Sequence, residues 1–138
     1  MNKPIKEIYA LNQNIQTEES EYPLDQWYNR LIDKTIDEIE LEDVSRMLAQ
    51  NIFMDLGIKK ALEILKGDPL AGEMYDGHLL KILYSIELNQ FEELSQLASL
   101  LQDINRNLSN IEWADEEDQE EYTELLTNFM KKLELYQG

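Results

Sequence analysis

The sequence predicts an all-α protein, a single irregular bundle of about six helices with short connections spanning residues 1–138. Apolar residues recur at three- and four-residue spacing in nearly every segment, and three prolines, five glycines and no long β-branched alternation leave little support for strands. A hydrophobic content of 43% sets the chain apart from acidic disordered proteins, which are poor in apolar residues. A chain of 138 residues is also long enough to bury a core without a covalent staple, in keeping with its lack of cysteine.

Taken in order, residues 1–20 read as a short helix carried by Ile5, Ile8, Tyr9 and Ile15, or as a mobile arm, since NQNIQTEESE is polar. Pro23 suits a first helical turn, and Leu24, Trp27, Tyr28 and Leu31 follow with helical spacing. Thr35 and Glu38 have the spacing of a capping box and predict a short helical piece. The next helix carries Val44, Met47, Leu48 and Ile52, with Glu42 and Asp43 at its dipole-positive start. Continuity weakens at Asp55 to Gly57, and a new stripe of Ile58, Ala61, Leu62 and Leu65 runs to a stop at Gly67.

Asp68, Pro69 and the two glycines of LAGEMYDG predict a tight connection, with Asp76 capping a helix of Leu79, Ile82, Leu83 and Ile86 that ends near Leu88. Asn89 and Glu92 have capping-box spacing before a long helix of Leu94, Leu97, Leu101, Ile104 and Leu108 that reaches about Asn110. The last helix is the plainest: Tyr122, Leu125, Leu126, Phe129, Met130, Leu133 and Tyr136 form one stripe. An acidic run precedes it, and Lys131 and Lys132 lie near its other end, both complementing the dipole.

Charge restricts function. The net charge is −17, and residues 87–138 hold thirteen acidic groups against three basic ones. Such a field repels nucleic acid and anionic lipid and speeds encounter with a basic protein. No stretch approaches the roughly 18 apolar residues of a membrane span, and no leader pattern opens the chain, so a cytoplasmic location is expected.

No motif for catalytic or metal chemistry stands out, and acid–base work by carboxylates alone, a third reading, leaves no signature among 29 acidic residues. His78 is the one histidine and has no His or Cys partner; it suits a surface or cap-adjacent place. DEEDQEE lacks the glycine and alternating ligands of a calcium loop, and phosphate cradles, zinc helices and nucleophile elbows are missing. No metal, no cofactor and no enzymatic activity are expected, leaving a protein that binds another macromolecule and is a monomer when free. The candidate partner-binding residues are Trp113, Asp115, Glu116, Glu117, Asp118, Glu120 and Glu121. Two readings of this run stand side by side. It is a solvated helix start, or it is a cluster that meets a basic patch, with Glu116/Glu120 and Glu117/Glu121 repelling each other at i, i+4 in the free protein.

The segment from Leu41 to Glu87, with QNI closing one helix, ALEIL in the next, then a proline, the GEMYDG turn and a leucine pair, resembles the helical immunity proteins of bacterial contact-dependent growth inhibition systems. Leu24 to Ile39 fits the same pattern, so the resemblance covers roughly half the chain. It implies a cytosolic protein that neutralises the C-terminal toxin domain delivered by a neighbouring cell, by steric and electrostatic blockade. Many such toxins are nucleases, whose phosphate-binding clefts must be basic, and an acidic protein is a physically sensible plug for one. The alternative is an acidic nucleic-acid mimic or helical adaptor acting on a host nucleic-acid-binding protein. Gln50, Pro69, Tyr75, Asp76, Gly77 and Leu80 read as packing and turn residues, which directs toxin contacts to the C-terminal part.

Overall fold

The computed structural model describes residues 3–9, 23–113 and 115–137. Among these, seven α-helices follow one another: α1 (Ile5–Ile8), α2 (Pro23–Leu31), α3 (Leu41–Ala49), α4 (Met54–Gly67), α5 (His78–Ser85), α6 (Leu94–Arg106) and α7 (Glu116–Gln137). Three single 3-10 turns lie at Ile36–Glu38, Leu88–Gln90 and Leu108–Asn110. The described residues contain no strand, only an isolated antiparallel bridge between Pro4 and Thr35, and the all-α expectation holds. No helix is long and apolar enough to cross a membrane among the described residues. The segment 10–22, where an arm or a further helical stretch was in question, lies outside the described residues.

The chain divides into two units, residues 1–43 and 44–138. In the first, the backbone N–H groups of Ile5 and Lys6 donate to Lys34 O at 2.8 Å and Ile32 O at 2.9 Å, tying α1 to the chain beyond α2. Trp27, Leu31, Ile32 and Ile39 are buried. The expected capping box forms, Glu38 Oε1 accepting the Thr35 N–H at 3.0 Å. That bond, followed by one from the Thr35 hydroxyl, holds the Glu38 carboxyl below its ordinary range. Asp43 does more than favour the start of α3. It is buried, and it accepts hydrogen bonds from Trp27 Nε1 at 3.0 Å, Lys34 Nζ at 2.7 Å and the Glu40 N–H at 3.1 Å. Burial alone would raise its carboxyl; the bonds from Lys34, Glu40 and Trp27 outweigh that and hold it low.

In the second unit α4 packs on α5 and α6, and α7 packs on α5 and α6. Leu65, Leu79, Leu83, Leu97, Leu101 and Phe129 form the centre of its core, each almost wholly shut off from solvent. The break between α3 and α4 falls before Gly57, at Asn51 (φ 58°) and Phe53 (φ 48°), two non-glycine residues in the left-handed region. Gly57 instead lies inside α4, where its missing side chain lets Leu48 come close: a Cβ would sit 3.0 Å from Leu48 Cδ2.

Other boundaries also shift. Asp76 does not cap α5; Gly77, at φ 88°, occupies that position, and α5 ends at Ser85. Asn89 lies in a 3-10 turn held by buried Leu88 and Phe91, so α6 begins only at Leu94 and closes at Arg106. Lys132 serves another helix than its own. Its Nζ donates to Tyr84 O at 2.6 Å and Ile86 O at 3.2 Å and lies 5.0 Å from the Tyr84 ring centre, closing the C-terminal end of α5.

Candidate partner-binding cleft

The connection from Asp68 to Gly77 is built from its own hydrogen bonds. Asp68 Oδ1 accepts the Leu70 N–H at 3.1 Å, Leu70 O accepts the Gly77 N–H at 2.8 Å, and Ala71 O accepts the Leu79 N–H at 3.1 Å. Neither glycine of the segment tolerates a side chain. A Cβ on Gly72 would collide with the Tyr75 carbonyl, and one on Gly77 would lie 2.8 Å from Tyr122 Cδ2. The turn therefore seats directly on α7.

Tyr122 is the fastening. Its hydroxyl donates to Pro69 O at 2.8 Å, and burial, with Asp68 adding to it, pushes the phenol well above its ordinary range. Trp113 packs against the same ring, with centroids 5.3 Å apart and planes tilted by 54°. Its indole N–H is shut off from solvent and has no acceptor among the described residues. Within the turn the Tyr75 and His78 rings lie 4.7 Å apart, and the Met74 N–H points at His78 Nδ1 over 3.4 Å. His78 is thus a turn residue at the start of α5, the cap-adjacent place expected for it.

Between this turn and α7 opens a cleft of about 650 Å³, with Tyr75, Asp76, Lys81, Asp118, Glu121 and Glu124 around it. Tyr122 and Leu125 are also part of its wall. Asp76, Asp118, Glu121, Glu124 and Lys81 are all exposed, and none of them makes an ion pair among the described residues. Two large apolar side chains stand in the same turn, Met74 at 74% and Tyr75 at 49% exposure. Scattered exposed apolar residues are ordinary, but a methionine and a tyrosine exposed side by side are residue types enriched in protein interfaces.

The candidate residues from the sequence separate here. Asp118 and Glu121 line the cleft. Glu116, Glu117 and Glu120 are exposed on α7 but outside its lining. Asp115 is a cap: its Oδ1 accepts the Asp118 N–H at 2.8 Å, and the solvated-helix-start reading describes it well. Trp113 is partly buried against Tyr122 rather than offered to solvent. Tyr75 and Asp76 lie in the turn, as their reading as packing and turn residues has it, but they are exposed and line the cleft, whereas Gly77 and Leu80 are buried. The missed signal was local: an adjacent Met74 and Tyr75 between two glycines have no periodic face to bury.

No group of three or more histidine, cysteine or carboxylate side chains able to hold a metal occurs among the described residues. The second unit is thus a helical scaffold carrying a solvent-open cleft with charged and aromatic walls. Residues 7–101 match the family model of CDI immunity proteins, CDI being contact-dependent growth inhibition, and the chain belongs to this family. It is an immunity protein, one that binds and neutralises a cognate toxin protein. No curated protein matches it. The matched span contains the turn that forms one wall of the cleft and ends before α7, which forms the other.

Proposed function

We propose that this immunity protein acts in the cytoplasm on a basic toxin domain, a nuclease, and blocks it sterically and electrostatically with the face that holds the cleft and the first turns of α7. The observation that carries this reading is the set of four exposed carboxylates around the cleft, Asp76, Asp118, Glu121 and Glu124, against the single ammonium of Lys81. In a chain of net charge −17 they stand beside the exposed Met74 and Tyr75, which supply the desolvated centre that charge alone lacks. A nuclease carries the complementary sign, because it must attract phosphate. Glu116, Glu117 and Glu120, beyond the lining, belong to the rim and steer the encounter.

The test is to co-express the chain with the C-terminal domain encoded by the gene immediately upstream. Co-purification and rescue of cell growth are expected, together with loss of nucleic-acid cleavage by the purified domain when the chain is added. No binding and no rescue would remove the reading, and rescue from a domain that cleaves no nucleic acid would remove its nuclease part.

A further inference from the structure

Building on the reading that the toxin domain is basic, we infer that the cleft between the 68–77 turn and α7 is a socket for a protruding segment of that domain, a loop or helix end bearing at least two arginine or lysine side chains. The toxin then supplies the convex half of this contact. Shape is the first argument. A recess of about 650 Å³ is complementary only to something that enters it, and it is of the size, roughly 300–1,000 Å³, in which inserted groups become largely buried.

Charge sets the composition of the segment. Four carboxylates and one ammonium leave three negative charges uncompensated, and covering the mouth with a neutral or singly charged segment would strand unpaired carboxylates away from water at heavy cost. Two cations cancel two of these three charges and a third balances the lining, so the segment carries at least two. The Tyr75 ring, half exposed at the cleft wall, suits a guanidinium or ammonium over its face, and neighbouring Met74 offers adaptable apolar surface to the stem of such a side chain.

Rigidity is the third argument. Gly72 and Gly77 have no room to be otherwise, and Tyr122 ties the turn to α7 through Pro69 O, so the recess exists before the partner arrives and little ordering is left to oppose binding. The socket differs from general acidity in one measurable respect. Carboxylates that become buried against cations govern dissociation, whereas rim carboxylates govern association.

The experiment uses the whole chain and the toxin domain encoded upstream, with both rate constants measured by surface plasmon resonance. Two variants carry an equal change of charge on the same helix: E121K/E124K within the lining and E116K/E120K outside it. The cleft pair is expected to raise the dissociation rate by about a hundredfold, an effect that persists at high salt. The outer pair should slow association several-fold at low salt and leave dissociation within about twofold. Tyr75→Ala, which changes no charge, should raise the dissociation rate by about tenfold. All the substituted side chains are exposed, and a melting curve checks each fold; should a lysine pair unfold the chain, the corresponding glutamine pairs make the same comparison. Equal effects from the two pairs would overturn the socket and leave the toxin pairing intact. Absence of binding by the unsubstituted chain would overturn the pairing, and the socket with it.

Discussion

The carboxylate of Asp43 and those around the cleft carry the same charge and have opposite surroundings. Asp43 is 5% exposed and meets three donors, one of them an ammonium at 2.7 Å. Asp76, Asp118, Glu121 and Glu124 stand in solvent with no ion pair among the described residues. A carboxylate whose lone pairs are satisfied inside its own unit has nothing left to offer a partner, and removing it strands the groups that faced it. The cleft carboxylates leave nothing stranded when removed, so their negative charge stays available to a partner. In a chain so rich in acid, exposure and pairing separate structural carboxylates from those available to a partner; charge alone does not.

The sharpest way to break this comparison is Asp43→Ala. It leaves the Trp27 indole N–H buried without its acceptor and Lys34 without its counter-ion, and should cost about 3 kcal/mol, below the upper range because Lys34 keeps part of its side chain in water. A fall in the urea midpoint with an unchanged association rate for the toxin domain is the expected pair of results. The same carboxylate predicts a pH dependence. Its folded pKa lies below the ordinary 3.8, so its contribution is fully present above that value and disappears as pH falls through the lower, folded value. Thermal melts of the wild type and Asp43→Asn should therefore differ near neutrality and converge in strong acid. A constant difference across that range would show that the charge of Asp43 is not what matters.

Gly77→Ala tests the opposite region. It forces a left-handed residue (φ 88°) to carry a Cβ that would lie 2.8 Å from Tyr122 Cδ2, so a loss of about 2 kcal/mol is expected from strain and overpacking. Unlike Asp43→Ala, it should also weaken toxin binding, because the displaced turn is a wall of the cleft. Tyr122→Phe is milder. It removes one hydrogen bond to Pro69 O and should cost about 1 kcal/mol, with faster amide exchange at Gly77 and Leu79 as the local readout.

How much of this the sequence could tell depends on the distance over which each feature is held. The stripe of Tyr122, Leu126, Phe129 and Leu133 repeats every three or four residues, and all four are buried, so α7 was legible from its own period; Tyr136, in the last turn, is 54% exposed. The Thr35 capping box also closes over three residues and was read correctly. The Asn89 one was not, because the burial of Leu88 and Phe91, a tertiary effect, holds that stretch out of α6. Asp43 was placed correctly at a helix start, but its partners Lys34 and Trp27 lie nine and sixteen residues away. The cleft was half legible. Its α7 wall stood out by charge, while its other wall is joined to α7 by a bond between residues 53 apart, which no local pattern announces.

An effect on stability no larger than that of Tyr122→Phe, and the finest division within the acidic run, come from reversing Glu116, Glu117, Glu120 and Glu121 to lysine together. Repulsion at i, i+4 between Glu116 and Glu120 and between Glu117 and Glu121 is about 0.2–0.5 kcal/mol per pair, while a carboxylate in the first turn gains about 0.3–1 kcal/mol from the helix dipole. New lysines would repel one another at the same spacing and meet the wrong end of the dipole, so a loss of about 1 kcal/mol is expected, with the Asp115 cap intact. Association with a basic partner should respond far more, slowing most at low salt and less as the screening length shrinks to about 8 Å near physiological ionic strength. An association rate that ignores the reversal would reduce Glu116, Glu117 and Glu120 to a solvated helix start. It would also leave the charged part of recognition to Asp76, Asp118 and Glu124 of the cleft lining, which the reversal does not touch.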